Sequence, residues 1–317
     1  MNKIEVYRTY SDYLKETYGE KVYKLPIKLD LTCPNRDGSL GCGGCIYCGG
    51  EGGSFENLSK DLDIKEQLNS NKSYIGSRYK ARKFIAYFQN YTNTYMDLDS
   101  FKRVILEAID EDIVAISIST RPDCLNDEYL KFLEGVKKDY GVDIIVELGL
   151  QTVNYKTLEI INRGHGLAEY IDAAIRLKSY GLRNCTHLIL NLPWDDERDV
   201  IENAKILSSL GVEEIKLHSL YIVKATRLAA MYEAGEVDLV SRDEYIDRVI
   251  SFLRHLDQDV VVQRLLGRAP EEAVLFENWG ESWWKIRDLI VEKMRENNYR
   301  QGDLCDYLNG RGLRKFL

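Results

Sequence analysis

The sequence predicts an α/β fold in which a parallel sheet is covered by helices. Strand-like apolar runs alternate with helix-periodic segments. The runs are near-continuously apolar, as strands buried on both faces must be. Three helical segments also end alike, at Tyr140-Gly141-Val142, Tyr180-Gly181-Leu182 and Leu210-Gly211-Val212. In each, glycine is free to take the left-handed conformation that stops a helix before a strand begins.

In chain order the strands are expected at Tyr23–Leu31, Phe84–Gln89, Ile113–Thr120, Asp143–Thr152, Cys185–Leu192 and Glu214–Val223. Helices are expected at Asp99–Glu111, Asp127–Tyr140, Leu167–Tyr180 and Glu197–Leu210, where apolar residues recur at helical spacing. Such β/α repetition fits a partial or full barrel or an open doubly wound sheet. Cysteines, rather than a glycine-rich phosphate loop, follow the first strand, which argues against a dinucleotide-binding sheet. An amphipathic helix is expected near the C-terminus, beginning at Trp283 and Trp284, as a packing element.

Composition fits an enzyme-sized unit. Charged residues make up 30% and apolar residues 44%, and neither a disordered tract nor an apolar membrane span is visible. The N-terminus lacks the apolar core of a secretory signal, so a cytoplasmic location is expected. No Ser/Gly-rich or Pro-rich linker divides the chain, so one large domain with a C-terminal extension is the simplest organisation.

Four cysteines fall within Thr32-Cys33-Pro34-Asn35-Arg36-Asp37-Gly38-Ser39-Leu40-Gly41-Cys42-Gly43-Gly44-Cys45-Ile46-Tyr47-Cys48. Thiols packed this closely in a reducing compartment hold metal more readily than they form disulfides. Structural zinc on four thiolates is one reading. An iron–sulfur cluster is the other, and it suits closely spaced thiolates at the carboxyl end of a first strand, where barrel active sites are built.

These residues, with Phe88-Gln89-x-Tyr91-Thr92-Asn93-Thr94-Tyr95, Ser119-Thr120-Arg121-Pro122-Asp123, Glu147-Leu148-Gly149-Leu150-Gln151-Thr152, Ile161-Asn162-Arg163-Gly164-His165 and Gln263-Arg264-Leu265, resemble the radical S-adenosylmethionine (SAM) superfamily. The resemblance covers most of residues 20–300. It is closest to the YtqA/YhcC-like family related to the elongator-type enzymes. It implies a partial (β/α)6 TIM-type barrel over residues 1–225, carrying the N-terminal cluster loop, with a C-terminal α/β extension over residues 226–317 packed on it.

The resemblance also implies the cofactors, a [4Fe-4S] cluster and SAM. Its ligand set is Cys33, Cys45 and Cys48, with Cys42 outside it. Three thiolates leave one iron open for the amino and carboxylate groups of SAM, whose reductive cleavage gives a 5′-deoxyadenosyl radical. Carried over residue by residue, Tyr47 would lie against the adenine. Gln89, Thr92 and Asn93 would hold the methionine amino group, Gln151 the ribose and Arg163 the carboxylate, with Ser119 and Glu147 weaker candidates. Where relatives tend to have Gly-Leu-Pro-Gly, this chain has Asn191-Leu192-Pro193-Trp194, so backbone contacts to SAM there are in question.

The likeness to elongator-type enzymes points to tRNA as substrate, at a C5 substituent of the wobble uridine. An external electron donor such as flavodoxin or ferredoxin is implied, and neither DNA nor a membrane is expected as a partner. Net charge is −8, which disfavours a chain-wide nucleic-acid field. Locally, Lys72, Arg78, Lys80, Arg82 and Lys83 interleave with Tyr74 and Tyr79, and Arg311, Arg314 and Lys315 crowd the C-terminus. Basic side chains neutralise phosphates and tyrosines stack on unpaired bases. Radical chemistry on a small metabolite or protein side chain is the enzymatic alternative, and a zinc-stabilised, non-catalytic RNA-binding protein is the alternative of another class. The four histidines show no metal-ligand spacing, although His187 and His218 lie within apolar strands.

Overall fold

The computed structural model describes residues 5–50, 52, 58 and 62–316, the side chains of 313–316 apart. Seven strands form one sheet in the order β1 (Val22–Ile27), β2 (Lys83–Phe88), β3 (Ile113–Thr120), β4 (Asp143–Gln151), β5 (Arg183–Ile189), β6 (Glu214–His218) and β8 (Val261–Arg264). A two-stranded antiparallel ribbon joins β7 (Ile222–Val223) to β9 (Val274–Phe276). The helices are α1 (Tyr10–Tyr18), α2 (Ile64–Tyr79), α3 (Leu98–Glu107), α4 (Asp127–Tyr140), α5 (Tyr155–Ile160), α6 (Leu167–Ser179), α7 (Glu197–Leu210), α8 (Arg227–Glu233), α9 (Arg242–His255) and α10 (Trp283–Glu296). The chain divides into two compact units.

One unit comprises residues 11–149 and 163–185. In it β1 pairs with β2, β2 with β3 and β3 with β4, all parallel. Leu25, Ile27, Ile85, Ile116, Ile118, Ile144 and Val146 are fully or almost fully buried. Burial on both faces is what an apolar run in a parallel sheet requires. Register also gathers polar residues. Tyr87 pairs with Ser117 and Ser119 with Glu147, so side chains from neighbouring strands share one face.

The other unit comprises residues 1–10, 150–162 and 186–317. Here β6 runs parallel to β8. The packed face of α10 carries Ile286, Ile290 and Met294, whereas Trp283 and Trp284 are largely exposed. The C-terminal helix therefore packs as expected, but on its aliphatic stripe rather than on its tryptophans. Among the described residues no helix is long and apolar enough to cross a membrane.

The glycine stops behave as the sequence predicts: Gly141, Gly181 and Gly211 have φ of +66°, +63° and +70°. The expected strands are all present: β3 has its expected bounds, and the others end before their expected C-terminal residue or, at the last, break into β6 and β7. Beyond Ile27 the backbone turns to side-chain partners, Lys28 N–H donating to Gln67 Oε1 at 2.8 Å and Leu29 N–H to Asn90 Oδ1 at 3.2 Å. These buried amides stand in for a neighbouring strand and end β1 before Leu31. After β5, Arg248 takes the carbonyls of Leu190, Leu192 and Asp195 at 3.2, 3.4 and 2.8 Å. The expected strand end at Leu192 is thereby replaced by a clamped loop.

Candidate active site

Residues 33–48, after β1, fold around the cysteines through short backbone bonds. Arg36 N–H donates to Cys33 O at 2.8 Å, Gly44 N–H to Asn35 O at 2.8 Å and Cys48 N–H to Cys45 O at 3.0 Å. Gly44 must be glycine, because its φ is +74° and a Cβ would sit 2.9 Å from Arg36 Cγ. Residues 37–42 close on themselves through a bridge between Asp37 and Cys42, which leaves Cys42 exposed. Cys45 is buried and Cys33 and Cys48 are half-buried. The structure therefore separates Cys42 from the other three in exposure.

Nitrogen donors surround the sulfurs. Arg163 Nη1 reaches Cys45 Sγ at 3.6 Å, Asn35 Nδ2 reaches the same atom at 3.8 Å, and Arg36 Nη1 reaches Cys48 Sγ at 3.9 Å. Burial and the neighbouring Cys45 sulfur push the Cys48 thiol up to about 11. Thiols that suppress one another's ionisation need a shared cation to become ligands, and a coordinating metal supplies it. Amide and guanidinium donors to the sulfurs would then offset the cluster's charge and tune its potential.

Arg163 is buried and oriented by the carbonyl of Gly149, which it meets through Nε at 3.2 Å and Nη2 at 2.6 Å. Burial alone would favour loss of its proton, but the Cys45 sulfur and the Tyr47 phenol outweigh that, so its charge is held more firmly than usual. Burial first, and then the Cys45 sulfur, raise the Tyr47 phenol well above its ordinary value. The Tyr47 phenol thus lies in the same electrostatic cluster as Cys45 and Arg163.

A second arginine holds the first. Arg121 is 2% exposed and grips Asp123 through Nε at 2.9 Å and Nη2 at 2.7 Å, while Nη1 donates to Arg163 O at 2.9 Å. Burial opposes the Asp123 carboxylate, but Arg121 more than compensates and keeps its carboxyl below the ordinary range. Next to Arg163, Gly164 has φ +77°, and a Cβ there would lie 2.5 Å from Asn35 Oδ1. This close approach brings the 162–166 turn against the cysteine loop.

At the end of β2, Asn93 is 1% exposed. Its Nδ2 donates to the carbonyls of Phe88, Asn90 and Ser119 at 3.1, 2.9 and 2.9 Å. Its Oδ1 is buried without a hydrogen-bond partner. An amide nitrogen held at three points leaves that oxygen a fixed acceptor. Thr92 is buried beside it, and Gln89 is half-buried and donates its N–H to Ile27 O at 3.3 Å.

Ser119 belongs to a polar network inside the same unit. It donates to Tyr87 Oη at 3.3 Å, and Tyr87 donates to Glu147 Oε2 at 2.9 Å. Ser117 donates to Glu147 Oε1 at 2.7 Å, and Lys24 pairs with the same oxygen. The Lys24 ammonium also lies 4.5 Å from the centre of the Tyr87 ring. Gln151 belongs to the other unit and ends β4 at φ +81°, a left-handed conformation uncommon outside glycine.

In that other unit the Asn191-Leu192-Pro193-Trp194 departure is a built feature. Asn191 is fully buried and its Oδ1 accepts from Leu220 N–H at 2.6 Å, a bond glycine could not make. Trp194 is half-buried.

Of the residues expected from sequence, the structure gathers Cys45, Cys48, Tyr47 and Arg163 around shared contacts, with Cys33 adding to their field. Asn93 and Ser119 are joined through the Ser119 carbonyl. Asn35, Arg36, Arg121, Asp123, Lys24 and Tyr87 were not assigned roles by the sequence, although the first four stand inside the motifs that carry the family resemblance. An Arg-Pro-Asp run at a strand end was the available signal for the Arg121–Asp123 pair.

The sequence profile of the radical SAM superfamily matches residues 34–207, and that of the radical SAM C-terminal domain matches residues 212–296. YtqA of Bacillus subtilis is 34% identical over 298 residues, covering 93% of this chain and 92% of that protein. YhcC of Escherichia coli K12 is 34% identical over 273 residues, 86% of each. A tRNA uridine(34) acetyltransferase of Methanocaldococcus jannaschii is 29% identical over 161 residues, covering 48% of this chain and 28% of that one. Among solved structures, Elp3 of Methanocaldococcus infernus superposes with a TM-score of 0.68 at 17% identity, covering 88% of this chain and 64% of that chain. That likeness establishes the partial-barrel fold. Profiles across the cysteine loop and barrel, together with full-length relatives at this identity, establish that the chain belongs to the radical SAM superfamily, in the branch of YtqA and YhcC, with a [4Fe-4S] cluster and SAM as its cofactors.

Proposed function

We propose that this radical SAM enzyme modifies tRNA at a C5 substituent of the wobble uridine, with Cys33, Cys45 and Cys48 as the cluster ligands. The observation that carries the cofactor assignment is the unpartnered Oδ1 of Asn93, a buried acceptor with a fixed direction. Such an atom costs free energy unless a ligand meets it, and the ammonium of SAM is a donor of the right kind. Cys33, Cys45 and Cys48 would hold the cluster, which would supply the chemistry of reductive SAM cleavage, with the electron coming from an external donor.

The chain's own residues bind and orient. Arg163 presents a guanidinium with no carboxylate partner of its own in the described residues, and the SAM carboxylate would complete it. Arg121 and Asp123 fix its backbone. Gln89 and Thr92 flank Asn93, Tyr47 stands beside Cys45, and Gln151 is assigned the ribose. The Lys24–Glu147–Tyr87–Ser119 network connects to this set at Ser119, whose carbonyl accepts from Asn93 Nδ2. The electron donor is assigned to the flavodoxin or ferredoxin class.

The tRNA reading is supported by the sequence match to a tRNA uridine(34) acetyltransferase, which extends over about half of this chain. Mass spectrometry of tRNA nucleosides from cells with and without the gene tests it. Loss of a C5-modified wobble uridine, or accumulation of its precursor, is the expected result. Identical wobble nucleosides in both strains would overturn the tRNA reading in favour of a small-molecule substrate.

A further inference from the structure

We infer that Arg264, with His218 and His187, forms a recognition site for an oxyanion of the substrate, a carboxylate or a phosphate. Its residues all fall within 186–317, and it serves a substrate of either kind, tRNA or small molecule.

The site is built by a break in strand register. Between β6 and β8, Ile215 pairs with Val262, but Lys216 pairs with Arg264, so Gln263 is an extra residue. A bulge of this kind re-aims side chains. Without it Gln263 would stand opposite Lys216. With it, Arg264 takes that position, on the face that also carries His218, two residues along β6. Gln263 still reaches Glu214 Oε2 at 2.5 Å, which engages a nearby carboxylate.

Arg264 is half-buried, yet it has no carboxylate partner within 4.0 Å among the described residues. Its Nη2 instead meets the His218 ring, at 2.8 Å from Nδ1 and 3.2 Å from Nε2. Its Nε is buried without any hydrogen-bond partner. An imidazole that accepts from a guanidinium leaves the cation's charge unbalanced. Removing an arginine from water this way is unfavourable unless an anion completes it. The His187 ring lies 5.2 Å from that of His218, tilted by 35°, and places a second imidazole next to the first.

Gly267 packs against the same groups. A Cβ on it would stand 3.3 Å from His218 Nδ1 and 3.5 Å from Arg264 Nη2. The absence of a side chain keeps a methyl group from crowding the ring and the guanidinium. Arg264 and His218 are the last residues of β8 and β6, the ends at which barrel enzymes assemble their sites. A planar guanidinium with an unpartnered Nε and an adjoining imidazole suits the two oxygens of a carboxylate or phosphate better than any neutral group.

Calorimetric titration tests the assignment. Inorganic phosphate and, separately, acetate are titrated into the cluster-loaded enzyme at constant ionic strength, with saturating SAM present. Saturable one-site binding of at least one probe is expected, and which probe binds tells phosphate from carboxylate. Arg264→Gln should weaken it by roughly tenfold or more, as losing a charge-assisted hydrogen bond does. Gly267→Ala should weaken it without altering any charge, and both variants should keep the iron content and near-ultraviolet circular dichroism of the parent. Should Arg264→Gln fail to fold, Gly267→Ala decides. No saturable binding of either probe to the parent, or unchanged binding in a folded variant, would overturn the proposal.

Discussion

Arg163 and Cys45 meet across 118 residues of chain, Nη1 to Sγ at 3.6 Å. The contact joins the turn after α5 to the loop before α2, and its structural reason lies only partly within those two segments. That reason lies with Arg121, which holds the Arg163 carbonyl, and with Asn35, which fits against the bare Cα of Gly164. A cation is thereby fixed beside sulfurs that would otherwise repel one another as they ionise.

Cluster content should separate the four cysteines. Alanine at Cys33, Cys45 or Cys48 is expected to abolish the bound iron of anaerobically purified protein. Cys42→Ala should retain most of it, because Cys42 is exposed on the 37–42 turn. Iron and acid-labile sulfide assays on the four variants are the measurement. Equal loss in Cys42→Ala, or stoichiometric zinc with no iron, would contradict the ligand assignment.

Gly164→Ala should disturb the same loop from the other side. A left-handed backbone costs an alanine about 1–2 kcal/mol, and its Cβ would also overlap Asn35 Oδ1. The expected outcome is lower iron occupancy and a lower melting temperature. Adding Asn35→Ala removes the overlapping atom, so the double variant should recover part of both. Absence of any recovery would mean that the strain lies in the backbone alone.

The β/α repetition was legible in the sequence because its signals are local. Glycine after a helix, alternation of runs and the cysteine spacing each depend on a few neighbouring residues. What escaped depends on partners far along the chain. Nothing near Leu29 shows that Gln67 and Asn90 will end β1, and nothing near Val262 shows that β8 will extend the sheet with a bulge. The same holds for the site. The proposed ligands Cys33, Cys45 and Cys48 rest on their motif, whereas the Arg121 hold on Arg163 spans 42 residues and shows only in three dimensions.

SAM affinity should fall when Arg163 is shortened. Losing a hydrogen bond to a charged group costs about 1.5–3 kcal/mol, roughly a 10- to 150-fold change in affinity. Arg163→Ala should show that loss by equilibrium dialysis of cluster-loaded protein. Arg163→Lys should lose less, because it keeps the charge but not the two hydrogen bonds to Gly149. An unchanged dissociation constant in a cluster-loaded Arg163→Ala variant would remove this residue from the SAM site.

Asp195 makes stability depend on pH. Burial pushes its carboxyl up to about 6, with Thr157 and Thr152 hydrogen bonds opposing the rise. A carboxyl raised above its unfolded value of roughly 3.9 stabilises the fold fully below that value, and this contribution is lost as pH rises through about 6. Ionised at neutral pH, it costs on the order of 1–3 kcal/mol. Asp195→Asn should therefore melt at a higher temperature than the parent at pH 7.5. The gap should close by about pH 4. A gap independent of pH would show that Asp195 does not titrate in this window.

The basic stretch around α2 is less uniform in space than in sequence. Lys72 is tied to Asp110 at 2.7 Å and also to Asp112, and Arg82 and Lys83 face Glu20. Arg78 and Lys80 are exposed and have no carboxylate partner among the described residues. Arg78 lies 5.8 and 5.5 Å from the ring centres of Tyr74 and Tyr79, both exposed, which is a stacking surface with a charge on it. The side chains of Arg314 and Lys315 lie outside the described residues. If tRNA binds at this surface, the double variant Arg78→Glu/Lys80→Glu should lower the slope of log affinity against log salt by about 2, near one for each phosphate no longer neutralised. Lys72→Glu should change that slope little, because its charge is already balanced by Asp110 and Asp112. Iron content and SAM cleavage should be those of the parent in both variants. Salt-independent or absent tRNA binding by the parent would rule this surface out as a phosphate-binding face.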